Sequence, residues 1–533
     1  MTNTGCLHGR AGESVEVQTP RATETAPPPS DEAARLLDST ERDLVREIQR
    51  PAFGLEPQRG VRRKVLTILW DPGKDDVPPR ADVDAMREVI HGTVDSVRDY
   101  FLEVSHGQFT IENAGVLGWY DSDYPPEEYW PGGGEVGRDS GAEAIRKAEA
   151  DIDFSDFDED GDGELRPHEL GVLFIQPGKR LGGGLIRKVG DDYVERGEGE
   201  GVVVDGVRIL DIAEVSIGSP PRPGIVAHEL SHLFLALGDM YFTRFFNPMA
   251  AGPYSLMDWD GRAPHLDPVH KVKLGWLWPR VLTRPGTYEL RDVANAHEAT
   301  VLASPDRGAD EYFIVENRRS TGTYDAAIPH RGIAVWHIIE DRETFDRFPP
   351  PHVTTDDWAR EGGWSRKGIR MIRPRQEPPF DSTLPLWDGA GDGTGYDLVA
   401  RLRHDEHATL RWADGSPSGF ALTGIPASAD TVDVDVDTGW SPGRGIEAAT
   451  GRVARLRVHE HERYHHLDAD VVVELDSRPD EAFGFPLRAD ADGPANERIF
   501  ARLRDAVTSG SAIRLEFDRS GAALRRIIRV ATP

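Results

Sequence analysis

The stretch GIVAHELSHLFLAL, residues 224–237, sets two histidines four positions apart, with a glutamate directly after the first. Its other residues are nearly all apolar or small, so Pro223 to Leu237 reads as a strongly apolar, buried helix. On a helix, positions four apart share a face about 6 Å apart, so His228 and His232 can ligate one ion. Glu229 then stands beside a metal-bound water, placed to accept its proton. Ile225, Val226, Leu230, Leu233 and Phe234 seat the helix in a core and predict a dry site. There a metal acts more strongly on its ligands and water. One protein ligand is still to be found. Asp239 follows the helix closely, and Gly238 permits a turn that brings it back.

The chain contains a decoy. His461-Glu462-Arg463-Tyr464-His465 repeats the spacing, but its surroundings alternate apolar and polar residues like a strand. Positions four apart in a strand lie roughly 13 Å from each other, too far to share a metal. Arg463 would also oppose a cation. These histidines read as a polar sheet face or a loose surface metal patch.

Composition bounds the rest. With 533 residues the chain has room for two to four domains, and 38% hydrophobic and 29% charged residues fit a soluble globular protein. No apolar run approaches the roughly 18–20 residues of a membrane span. A net charge of −30 argues against a nucleic-acid partner, which needs a basic face. Cys6 is the one cysteine, which excludes an intrachain disulfide and a cysteine-rich zinc site. The N-terminal residues carry no apolar segment of the secretory kind.

Residues 1–58 read as a disordered or pro-segment-like region, with helical spacing from Asp31 to Ile48. Residues 59–284 alternate strands and helices. VLTILW (65–70), Phe109 to Trp119 and GVLFIQ (171–176) read as strands. Ala81 to Val104 and Ala142 to Ala150 read as helices. Residues 285–440 look β-rich, with GTYEL, EYFIVEN, GIAVWHII, ATLRW and TVDVDVD as strands. Residues 441–533 form a small α+β module with one helix near Asn496 to Val507.

A second metal pattern starts at Asp158. Asp158, Asp160, Asp162 and Glu169 occupy positions 1, 3, 5 and 12 of a twelve-residue calcium loop, with Gly163 at 6 and the Glu164 carbonyl at 7. Arg166 stands at position 9, where water can serve instead. Calcium would order the loop and stabilise the fold by linkage.

Several motifs occur together and in order. They are VRDYFLEVSHGQF (97–109), DFDEDGDGE (156–164), HELSH (228–232) and GPYSLMDWDG (252–261). KLGWL (273–277), EYFIVENR (311–318), YDAAIPHRGIAVWHI (324–338) and ADGSPSGFAL (413–422) follow. In this set the chain resembles the immune inhibitor A family of secreted bacterial metallopeptidases over roughly residues 61–440. The resemblance implies an α/β (α+β) metzincin-like zinc peptidase domain, then β-rich domains and the small C-terminal module. It implies that His228, His232 and Asp239 ligate zinc, that Glu229 is the general base and that Met257 forms the turn beneath the metal. The family pattern is close to HExxHxxGxxD. Here Asp239 falls seven residues after His232, and Leu235 replaces the glycine, which leaves Asp258 and His265 as alternative ligands. Trp259, two after Met257, offers an indole N–H to an oxyanion. The function expected is endopeptidase action on a protein or peptide substrate with Zn2+ and Ca2+. The alternative is a catalytically inactive binding protein on a metallopeptidase scaffold.

Overall fold

VLTILW is the middle of the first sheet, and its neighbours explain why it carries no charged residue. The computed structural model describes residues 39–531 apart from internal segments, the longest being 241–250, 342–367, 373–385 and 388–408. Strand β1 (Val61–Asp71) lies between β2 (Phe109–Asp121) and β3 (Gly171–Pro177). β5 (Asp211–Ile217) and the short edge strand β4 (Leu185–Lys188) complete the order β2-β1-β3-β5-β4. β1, β2, β3 and β5 run parallel, and β4 pairs antiparallel with β5. A parallel strand covered on both faces loses its polar alternation. Accordingly Val65 and Leu69 enter one core, while Leu66, Ile68 and Trp70 enter another.

Helices α2 (Val83–His91), α3 (Val97–Val104) and α5 (Pro223–Leu235) cover the first face, and α4 (Ser140–Ala148) covers the second. The single helix expected over Ala81 to Val104 is in fact the pair α2 and α3. Ser96 caps α3, its Oγ accepting from the Asp99 N–H at 3.1 Å. The apolar spacing runs across the break because both helices bury the same side. Upstream, α1 (Ser39–Ile48) falls within the stretch of helical spacing from Asp31 to Ile48 and buries Leu44, Val45 and Ile48 in the first core.

The downstream half is β-rich. β6 (Trp278–Leu282), β8 (Glu298–Leu302), β9 (Glu311–Arg318), β10 (Gly332–Ile339) and β11 (Ile369–Ile372) form a sheet in the order β11-β10-β9-β8-β6. β7 (Gly286–Arg291), β12 (Thr409–Arg411), β13 (Pro417–Thr423) and β14 (Thr431–Asp437) form an antiparallel sheet beside it, in the order β7-β14-β13-β12. The first core extends past residue 285: Val301, Ile314 and Trp336 share it with Leu230 and Met257.

β15 (Ile446–Glu460), β16 (Asp468–Leu475), β17 (Arg478–Arg488), β18 (Ala512–Asp518) and β19 (Arg525–Ala531) close into a barrel in the order β15-β16-β17-β19-β18. β15 pairs with β18 through Ile446–Arg452 and with β16 through Val453–Glu460. Helix α6 (Gly493–Ser509) sits between β17 and β18 in sequence. This strand order is that of an OB-type barrel, and it encloses a core of its own. The whole is mixed α/β and strand-rich. Among the described residues no helix is long and apolar enough to cross a membrane.

Candidate metal centre

Helix α5 is held on nearly every side. Ile225, Val226, Ala227, Leu230, Leu233, Phe234 and Leu235 are buried, and each large apolar side chain withdrawn from water contributes about 1.5–3 kcal/mol. Gly171, at the start of β3, makes room for it, since a Cβ there would lie 2.2 Å from the Phe234 ring. His228 and Glu229 are each only 2% exposed, which is the dry setting the sequence predicts.

His228 and His232 meet edge to face, their ring centroids 4.7 Å apart. Each Nδ1 faces a backbone carbonyl, Leu256 O at 2.9 Å for His228 and Leu237 O at 2.5 Å for His232. A carbonyl only accepts, so Nδ1 carries the hydrogen in both rings and each Nε2 presents its lone pair. The two Nε2 atoms lie 3.1 Å apart. Asp239 Oδ1 completes a triangle, 3.0 Å from the first and 3.2 Å from the second. A tetrahedral zinc site with bonds of 2.0–2.1 Å has ligand–ligand edges of about 3.3 Å. Two imidazoles and a carboxylate are also a donor set suited to zinc rather than calcium. The residues fit the ion. Glu229 stands farther back, its Oε1 3.9 Å from His228 Nε2.

The third donor arrives by a different turn from the one expected. Ala236, not Gly238, takes the left-handed conformation, with φ 54°. Its N–H donates to the His232 carbonyl at 3.2 Å, which ends the helix. The turn therefore starts directly after Leu235, and a spacing of seven residues brings Asp239 to both histidines. Burial pushes the Asp239 carboxyl up, while positive charge at the two Nε2 atoms, a proton standing in the ion's place, outweighs it and holds the group well below the usual carboxylate range.

Met257 is fully buried in the same core, and its carbonyl accepts from the Met240 N–H at 2.8 Å. This ties the turn to the segment carrying Asp239. Asp258 and His265 are engaged elsewhere. Asp258 Oδ2 accepts from the Ala251 and Gly252 N–H groups at 2.7 and 2.6 Å. His265 Nε2 lies 3.0 Å from Glu103 Oε1, and its Nδ1 lies 2.9 Å from Lys271 Nζ. Cys6, Trp259 and the decoy histidines His461 and His465 lie outside the described residues.

At the second pattern, oxygens of Asp158, Asp160 and Asp162 lie within 4.8 Å of one another. Asp158 shapes the turn, accepting from Gly161 N at 2.8 Å and Gly163 N at 3.1 Å. Glu169, 1% exposed, folds across the loop to accept from Glu159 N and Arg166 N, both at 3.0 Å. The Glu164 side chain turns to Arg166 at 2.9 Å, leaving its backbone as the possible donor. Arg166 also holds Asp162 at 2.5 Å.

The supporting residues are harder to read from the chain. Ser255 Oγ donates to Asp267 Oδ2 at 3.0 Å, and His270 Nδ1 donates to the same oxygen at 2.6 Å. Nothing in the spacing of Asp267 or of Arg318 points to the metal segment. The one available signal was the charge of Glu316 and Arg318 at the end of an apolar strand. Comparison of the chain with protein-family models and with curated proteins returns no match.

Proposed function

We propose that the chain is a zinc-dependent endopeptidase, metzincin-like and of the immune inhibitor A kind its motifs resemble. The observation carrying this reading is the triangle of His228 Nε2, His232 Nε2 and Asp239 Oδ1, with both Nδ1 atoms already committed. Zinc, when bound there, supplies a Lewis acid that polarises a peptide carbonyl and makes water a better nucleophile. Glu229, beside the triangle and shielded from solvent, takes the proton of the attacking water. It then delivers that proton to the departing amine nitrogen, so the carboxylate is regenerated. Among the described residues the edge strand β4 has a strand partner on one side alone, and an extended peptide can add to such an edge by main-chain hydrogen bonds. β4 also packs against α5, which favours a substrate lying across the histidines. The loop from Asp158 to Glu169 is read as a structural calcium site.

The alternative of an inactive scaffold drew its support from the displaced Asp239. Asp239 lies beside both histidines, which favours the catalytic reading. The test is hydrolysis of unfolded casein before and after a zinc chelator. Activity should vanish with the metal and return on adding about one equivalent of zinc. Hydrolysis that persists in metal-free protein contradicts the reading.

A further inference from the structure

We infer that Arg318, on β9 of the downstream sheet, is a positioning residue for the metal centre, so that this sheet is a working part of it. The inference rests on the zinc reading above.

Arg318 is fully buried. Its NH1 donates to the Tyr254 carbonyl at 2.9 Å and to Glu316 Oε1 at 3.2 Å, and its NH2 donates to Asp325 Oδ1 at 2.8 Å. Tyr254 lies two residues before Leu256, whose carbonyl fixes the His228 ring. The chain of contact is therefore short: guanidinium, Tyr254 carbonyl, the turn through Ser255 to Leu256, then His228 Nδ1. The opposite end is anchored as well. Trp336 Nε1 donates to Glu316 Oε1 at 3.0 Å, and Asp325 Oδ1 accepts from the His265 N–H at 3.0 Å. Asp267 and His270 hold Ser255 from the other side.

The flat guanidinium fork reaches two carboxylates and a carbonyl at fixed angles through its two terminal nitrogens, while its Nε has no partner among the described residues. An ammonium is a point charge without that fork. Groups that orient metal ligands from behind typically change metal affinity or activity by about 10–100-fold when altered. The motifs EYFIVENR, YDAAIPHRGIAVWHI and GPYSLMDWDG meet at this cluster, which gives a physical reason for their occurring in one chain.

The experiment compares Arg318→Lys with Glu340→Gln in the full chain. Glu340 pairs with the buried Lys273 at 2.6 Å, and this buried ion pair serves as the matched control. Both variants should lower the thermal midpoint. Only Arg318→Lys should weaken zinc binding, by about 10–100-fold, and shift the visible spectrum of the cobalt-substituted protein. If Arg318→Lys fails to fold, Asp325→Asn, which keeps the Arg318–Tyr254 contact, replaces it, with a smaller loss expected in the same direction. Unchanged zinc affinity and cobalt spectrum, or an equal loss in Glu340→Gln, overturns the positioning role and leaves the zinc reading intact. A wild-type chain that takes up no zinc overturns the zinc reading itself, and this inference with it.

Discussion

Two carbonyl oxygens, those of Leu237 and Leu256, determine which nitrogen His228 and His232 can offer a metal. Other histidines show what happens without such partners. Among the described residues neither ring nitrogen of His91 has a hydrogen-bond partner, and His106 Nε2 has none. Burial first, then Arg98 and Arg87, pushes His91 down to about 4; burial first, then Lys271 and His297, pushes His106 down to about 3. Both stay neutral in the folded chain while the unfolded chain binds protons below its ordinary value near 6.5. Their contribution to stability is therefore present above about pH 6.5 and is lost as pH falls through the folded values. Glu103 opposes this. Burial, with Asp99 and Asp325, raises it to about 7, so its protonated folded form gains stability below pH 7. Between the unfolded and folded values each such histidine costs the folded chain on the order of 1.4 kcal/mol per pH unit of acidification. Denaturant midpoints at pH 7 and pH 5 should show that loss, and His91→Leu should flatten it. Equal slopes in the two proteins would mean that His91 does not titrate as described.

Asp239 marks what could be read at this scale. Its residue type and its place after the helix were legible in the sequence. The residue that makes the turn was not. An alanine at φ 54° costs backbone energy that glycine avoids, so local propensity points to Gly238. The choice of Ala236 is imposed by packing and by the Leu237 carbonyl on His232.

At the level of elements, the helix and the acidic loop serve the same strand from opposite faces. Leu165 and Leu170 of the loop belong to the second core, and Leu233 and Phe234 of α5 belong to the first. Gly171, between them, begins β3. Calcium in the loop would steady the residue against which Phe234 rests. Arg166 would compete with such an ion, because its guanidinium holds Asp162 and Glu164. Arg166→Gln should tighten calcium binding roughly tenfold, since one opposing charge about 4 Å away is removed. Calorimetric titration of chelator-treated protein checks this, and weaker binding by the variant would mean that Arg166 helps build the loop.

The strands were largely legible because period-two patterning and apolar runs report burial directly. The break between α2 and α3 was hidden. Its apolar residues keep helical spacing across residues 92–96, and only Gly92 and Ser96 mark the stop.

For the whole molecule, cores rather than sequence breaks define the working units. The first core joins α5, Met257 and strands β8 to β10, so the metal centre and the downstream sheet fold as one. The sequence reading of 285–440 as a β-rich continuation of the peptidase region allows for this, although the patterning near residue 285 reports a change of element type and says nothing of the core. The barrel is different, since among the described residues its apolar core draws on residues 449–530. A chain ending at residue 440 should keep zinc binding and peptide hydrolysis, and residues 441–533 expressed alone should unfold cooperatively. Loss of zinc from the shortened chain would mean that the barrel supports the centre after all. The barrel's topology was beyond reach of the sequence, because β15 pairs with two different strands along its length, and periodicity carries no information about partners.

The central claim is that His228, His232 and Asp239 hold zinc for a reaction in which Glu229 moves the proton. Glu229→Gln tests it most directly, with zinc content and casein hydrolysis measured on the same samples. The account predicts about one zinc per chain in both proteins, and hydrolysis reduced by a factor of about 10²–10⁴ in the variant. A variant that keeps its zinc and digests casein at the wild-type rate would contradict it.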